Sequence, residues 1–170
     1  LDNYDKTFSW IINGAIDSNA VTSWSNYISA LNSLQEKSVI VFALGNITHH
    51  VDASMMAALP TFYSDLSEAF LAVGYAKIEG TTINGSTVVR HGTPCGQAEQ
   101  YCLFAHGYYN GVGWYNGSTS TYKEGGGSSF SSPLVSGAVV LLSQAFPNHT
   151  PSQLRERILL GANNSFFTHD

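Results

Sequence analysis

Residues 38–46 read "SVIVFALGN", and from Val39 to Leu44 the run is unbroken, apolar and rich in β-branched side chains before it stops at Gly45-Asn46. A strand with one wet face alternates apolar and polar residues, whereas a strand covered on both faces has no polar side to show. The stretch therefore predicts a central parallel strand with Asn46 at its carboxyl end. Ahead of it, Ser25–Glu36 sets Tyr27, Ile28, Leu31 and Leu34 at helical spacing, and Ser9–Ala15, "SWIINGA", is a short apolar run of strand length. Strand, helix, strand makes a right-handed crossover unit. Its functional loops fall at the carboxyl ends of the strands, so the chain is expected to be α/β.

Downstream the texture changes. "FLAVGYA", "TVVR" and "YCLFA" are short strand candidates, and Asn84-Gly85, Asn110-Gly111 and Asn116-Gly117 between and after them favour tight turns with positive φ. The run "HGYYNGVGWYNGS" predicts an exposed loop or hairpin; a self-packed loop is expected, with a binding patch of Tyr108, Tyr109, Trp114 and Tyr115 as the alternative. After "EGGGSS" comes "FSSPLVSGAVVLLSQAF", an almost wholly apolar helix expected to be central and buried, with Pro133 in its first turn and Pro147 ending it. Thr150-Pro151-Ser152-Gln153 is a capping box with Pro at the first helical position, and it opens an amphipathic helix carrying Leu154, Ile158 and Leu159.

Composition limits what the motifs can mean. With 170 residues, 44% of them hydrophobic and 11% charged, the chain can bury one core and is not of disordered composition. A net charge of -5 and the lack of a Lys/Arg cluster exclude nucleic acid and anionic membrane surfaces, which need a concentrated positive field. The chain opens at Leu1 without Met, basic flank or apolar signal core, and is expected to be an excised or processed segment. Its Asn-x-Ser/Thr triplets carry no weight in so Asn/Ser/Thr-rich a sequence.

Chemistry concentrates at "GGGSSFSSPLVSG", flexible backbone running straight into the apolar helix with Ser129 at its entry. A phosphate loop would need a Lys beside the Ser, and there is none. A nucleophilic hydroxyl is the other use of such a turn: its own amide and the helix dipole face a developing oxyanion. An ordinary N-cap Ser remains the plain alternative. Gly127-Ser128-Ser129-Phe130-Ser131-Ser132-Pro133-Leu134-Val135-Ser136-Gly137 resembles the nucleophile signature of the subtilisin-like serine proteases, Gly-Thr-Ser-Met-Ala-x-Pro-x-Val-x-Gly, with Ser129 on the nucleophile. Val41-Phe42-Ala43-Leu44-Gly45-Asn46 is similar to that family's strand ending in Ala-Ala-Gly-Asn, which puts Asn46 on the side-chain oxyanion donor. The departures are Leu44 for a small residue, Ser128 for Thr, Phe130 for Met and Leu134 for His; none removes a reacting atom.

The resemblance implies a three-layer α/β fold, a mostly parallel sheet with flanking helices, in an incomplete domain. It implies a serine endopeptidase acting through an acyl-enzyme on a protein or peptide substrate, with no cofactor and no metal. Gly45, with Gly14 and Ala15 in "IINGAID", falls where the family binds the substrate backbone, although Ala15-Ile16-Asp17 matches poorly. In this family the triad Asp and His precede the oxyanion Asn, and neither motif stands before Asn46: Asp2, Asp5 and Asp17 lack the Asp-x-Gly context, and His49 and His50 follow Asn46. The expectation is a carboxy-terminal part of one catalytic domain, inactive alone and partnered by the missing amino-terminal part.

His91-Gly92-Thr93 imitates the family's histidine motif, but Pro94-Cys95-Gly96 follows where a small-residue helix should open, and the order is wrong for the base. "CGQAEQYCLFAHG" resembles the Cys-Gly-x-Ala-x-x-Trp-Cys-x-x-Ala-Pro-Gly loop of the autotransporter serine proteases of Gram-negative bacteria, and "AALPTFYSDLSEAFLAV" that branch's Ala-Leu-Pro-x-Tyr-Tyr segment. That likeness implies a Cys95–Cys102 disulfide, export to the cell surface, outer membrane or medium, and tethering to an outer-membrane barrel. His91, Cys95, Cys102 and His106 also stand as a possible four-donor zinc set, with a spacing unlike the common zinc modules. A degenerate module of the same family, working as an adhesin through Tyr108, Tyr109, Trp114 and Tyr115, is the second functional reading.

Overall fold

The computed structural model describes residues 18–79 and 87–163; Ser9–Ala15 and Asn84-Gly85 lie outside them. Helix α1 (Ser18–Gln35) precedes strand β1 (Ile40–Ala43), a short helix α2 (Leu59–Phe62) and a 3-10 turn (Ser64–Ser67). Strands β2 (Phe70–Glu79) and β3 (Thr87–His91), a second 3-10 turn (Gly96–Tyr101) and β4 (Cys102–His106) complete the main sheet. A ribbon of β5 (Tyr108–Tyr115) and β6 (Ser120–Gly126) then leads into helices α3 (Ser128–Ala145) and α4 (Pro151–Leu160).

Strand β2 is the hub. Its Phe70–Val73 half pairs parallel with β1, Ala72–Ala76 pairs parallel with β4, and Tyr75–Glu79 pairs antiparallel with β3. Because Tyr75 and Ala76 pair with β3 and β4 at once, β3 must share the edge used by β1. The two strands meet end to end where β1 stops, and the Thr93 amide just beyond β3 donates to Gly45 O at 3.4 Å.

The unbroken apolar run of β1 is divided between two cores as a strand covered on both faces requires. Ile40, Phe42 and Leu44 face one core with Phe70, Ala72, Leu59 and Leu66, roofed by α1. Val41 packs in the other with Leu71, Val73, Leu103 and Ala105, beneath Val135 and Val139 of α3 and Ile158 and Leu159 of α4. The result is the expected three-layer α/β arrangement, with two parallel pairings and one antiparallel in the main sheet.

In the helices, local expectations change. Helix α1 turns Trp24, Tyr27, Ile28 and Leu31 inward, but Leu34 is 45% exposed and Gln35 takes the inward place instead. One helical step beyond Leu31, Gln35 donates to Asn32 Oδ1 and Asp65 O and accepts from the Ala69 amide, tying α1 to the start of β2. Helix α3 is not buried all round: Val135 is 4% exposed, whereas Leu134, Val140 and Leu141 are 49%, 56% and 68% exposed. The sheet covers one side of this helix, and an apolar helix needs cover on the other as well. Pro133 falls in the second turn rather than the first, where its missing N–H leaves the Ser129 carbonyl without the usual partner four residues on.

The α4 capping box forms as expected, with the Gln153 amide donating to Thr150 Oγ1 and the Thr150 amide to Gln153 Oε1. Asn116 Oδ1 accepts from the Ser118 and Thr119 amides to close the β5–β6 turn, while Gly111 sits in a bulge between Tyr109 and Val112 instead of at a strand break. The ribbon is not self-packed: Trp114, Tyr115 and Tyr122 are 55%, 69% and 79% exposed.

Candidate active site

The site forms where the carboxyl end of β1 meets the amino end of α3. Gly45 leaves the strand with φ +119°, in the region open to glycine, and Asn46 follows it into solvent. Across from it, Gly127 precedes α3 and offers no side chain to cap the helix. Asn46 does so from another element: its Oδ1 accepts from the Ser128 amide at 2.8 Å and from Ser128 Oγ at 3.0 Å. A backbone N–H can only donate, so the atom facing it is the carbonyl oxygen, which leaves the Asn46 Nδ2 protons for other acceptors. A Cβ at Gly127 would come 3.1 Å from that Nδ2, a tight contact that the Asn46 side chain would have to yield a few tenths of an ångström to admit.

An α-helix leaves its first four amides without intrahelical acceptors. Counted from Gly127, its own amide donates to Gly107 O at 2.9 Å, the Ser128 amide is held by Asn46, and that of Phe130 turns back to Gly127 O at 2.9 Å. That leaves the Ser129 amide, for which no acceptor is found among the described residues. Ser129 is an exposed residue, while neighbouring Ser128 is 1% exposed and fully used, its Oγ donating to Asn46 and accepting from the Gly45 amide at 3.2 Å. Among the described residues, then, the Ser129 amide and Asn46 Nδ2 are two donors without an acceptor, at the positive end of a helix that carries an exposed serine.

Sequence reasoning named Asn46 and Ser129, and the structure brings their segments together. Gly45 is there too, but its amide is given to Ser128 Oγ and its carbonyl to the Thr93 amide. Gly14 and Ala15 lie outside the described residues. Two participants were missed: Ser128, read as a mere replacement for Thr, and Thr93, read as part of a misplaced histidine motif. Ser128 had a signal, since a hydroxyl beside the nucleophile is the usual residue in the resembled motif.

No described histidine is bonded to Ser129. His91 lies between the rings of Tyr75 and Tyr108, at 5.7 and 5.9 Å, and His106 packs on Tyr109 while its Nδ1 accepts from the Ile78 amide. Cys95 and Cys102 are joined in a disulfide, which withdraws both thiolates from the zinc set considered above. The segment between them carries buried Tyr101, whose phenol is pushed up by burial, with a 2.7 Å hydrogen bond to Thr61 acting against that shift.

Fold and site together define an α/β chain with an exposed serine in the first turn of a helix that packs on the sheet. The subtilase family profile matches residues 8–169, and the chain belongs to the subtilase family. Among solved structures it is similar to the prenylagaramide maturation protease PagA, at a TM-score of 0.52 and 20% identity over 79% of this chain and 44% of that one. It is also similar to Sphericase, at a TM-score of 0.52 and 23% identity over 76% of this chain and 41% of that one. These likenesses show a shared fold, and the chain spans less than half the length of either protein. No curated protein matches it.

Proposed function

We propose that the chain carries the nucleophile and the oxyanion donors of a serine endopeptidase, as the carboxy-terminal part of a single catalytic domain. Ser129 attacks the scissile carbonyl, and the Ser129 amide with Asn46 Nδ2 receives the oxyanion. Gly45, Gly14 and Ala15 are assigned to the substrate backbone, as the family likeness suggests; the Gly45 amide is already given to Ser128 Oγ. The observation that carries this reading is the Ser129 amide and Asn46 Nδ2, two donors without an acceptor among the described residues, at a helix start fixed by the bond between Ser128 and Asn46.

The general base and its carboxylate come, on this reading, from an amino-terminal part of the same domain. The chain alone is then inactive, since loss of the triad histidine costs about 10⁶ in turnover in subtilisin, a member of the same family. The apolar outer face of α3, at Leu134, Val140 and Leu141, fits a domain that continues over it. The Cys95–Cys102 bond fits an oxidising location, and with the loop likeness it supports an exported autotransporter passenger tethered to an outer-membrane barrel.

A fluorophosphonate probe tests the reaction. The parent protein is expected to label at Ser129 and its Ser129→Ala variant not to; a parent that stays unlabelled sinks the enzyme. The exposed Trp114, Tyr115 and Tyr122 favour one competing reading, a catalytically silent module that binds through the ribbon. A parent gene lacking an Asp-x-Gly and a His-Gly-Thr-x-x-Ala motif ahead of Leu1 would favour it.

A further inference from the structure

We propose that Thr93 is a positioning residue for the oxyanion donor, holding the backbone on both sides of Asn46. This inference rests on the reading of Ser129 as nucleophile and Asn46 as donor. Thr93 is 1% exposed, and its hydroxyl does double duty on one residue: Oγ1 accepts from the Ile47 amide at 3.1 Å and donates to Ile47 O at 3.2 Å. Its own amide donates to Gly45 O at 3.4 Å. Three bonds thus grip Gly45 and Ile47, the neighbours of Asn46, and none touches Asn46 itself.

The geometry explains why a brace is needed there. Ser128 fixes the Asn46 side chain from the helix side, but where that side chain starts depends on the path of the chain through Gly45 to Ile47. Glycine at φ +119° has more freedom than any other residue, and Asn46 and Ile47 are both exposed, so packing supplies little restraint. A preorganised donor stabilises an oxyanion only if it need not be reoriented when charge develops. Thr93 itself is set by the exit of β3, where Arg90 donates from Nη1 to Gly92 O at 2.8 Å, and by the Cys95–Cys102 bond, which ties the segment two residues on to the start of β4. The His-Gly-Thr triplet that imitates a catalytic histidine motif thereby contributes its threonine, as a brace.

The test uses the parent protein, reading the second-order rate of fluorophosphonate labelling together with kcat and KM on a peptide substrate. Thr93→Val keeps the shape and removes the hydroxyl; losing roughly one net hydrogen bond of orientation should slow labelling and kcat about 10-fold. KM should move less than about 2-fold, since the lost interaction belongs to the transition state. Thr93→Ser should remain near the parent. The deciding measurement is a double-mutant cycle: in an Asn46→Ala background the Thr93→Val effect should vanish, because Thr93 acts only through Asn46. An equal loss in both backgrounds, or a Thr93→Val enzyme as fast as the parent, overturns the proposal. Should Thr93→Val not accumulate folded, Thr93→Ala takes its place in the same cycle. Failure of the parent to label, or labelling that survives Ser129→Ala, refutes the nucleophile assignment and this proposal with it. That outcome is distinct from a parent that labels normally but shows no coupling between Thr93 and Asn46.

Discussion

The β1–α3 corner and the β5–β6 ribbon are made of similar residues, glycines, hydroxyls and an Asn-centred turn, yet they are held in opposite ways. At the corner the bonds run between distant parts of the chain: Ser128 reaches Asn46 across 82 residues, Gly45 reaches Ser128 across 83, and Thr93 reaches Ile47 across 46. At the ribbon tip the side-chain bonds are local, Asn116 to Ser118 and Thr119, and Tyr115 Oη to Gly117 O. The long-range set fixes atoms relative to the sheet, which is what a reacting site needs. The local set shapes a turn without anchoring it, and the aromatic side chains beside it stay in solvent. Among the described residues, the ribbon's ring contacts with the rest of the chain are at its base, where Tyr108 contacts His91 and Lys77, and Tyr109 contacts His106 and Phe130.

Breaking the anchored side should therefore cost far more than altering the local one. The largest effect is expected from replacing Cys95 and Cys102 together by Ala, which frees the loop behind Thr93. Closing so short a loop contributes about 2 to 3 kcal/mol, to be read as a fall in the thermal unfolding midpoint of the parent protein. Ser128→Ala comes next. It strands the Gly45 amide and removes one of the two donors on Asn46 Oδ1, a loss of about 1 to 2 kcal/mol, together with slower fluorophosphonate labelling as Asn46 loosens. The smallest effect belongs to the ribbon tip: Trp114→Ser and Tyr122→Ser should each shift stability by no more than about 0.5 kcal/mol and leave the labelling rate unchanged. A ribbon variant that slowed labelling as much as Ser128→Ala would erase the distinction between the two regions.

How far each region could be read from the sequence follows the same division. Strand β1 was legible because burial on both faces forces an unbroken apolar run, and the structure assigns its alternate residues to two cores. Helix α4 was legible because a capping box is a local device, complete within four residues. The inward place of Gln35 was not, since its three partners lie on α1, on the turn at Asp65 and at Ala69. Helix α3 was legible as a helix, but its cover was not: apolarity on all sides says that two layers are required, without saying which chain segment supplies the second. Thr93 was misread because its short motif matched a local pattern whose meaning depends on what lies across from it.

The sequence by itself determined the central strand and the two C-terminal helices, and it placed Asn46 just past that strand and Ser129 in the first turn of the first of those helices. All of that is written in periodicity, caps and short motifs, which are properties of neighbouring residues. Only the tertiary structure decided which way the Asn46 amide faces, that Ser128 and not Ser129 is the serine spent on holding it, and that Thr93 grips the turn from the far side. A hydroxyl carries no periodic signature, and whether it braces, caps or reacts depends on the donor or acceptor that folding places within about 3 Å of it.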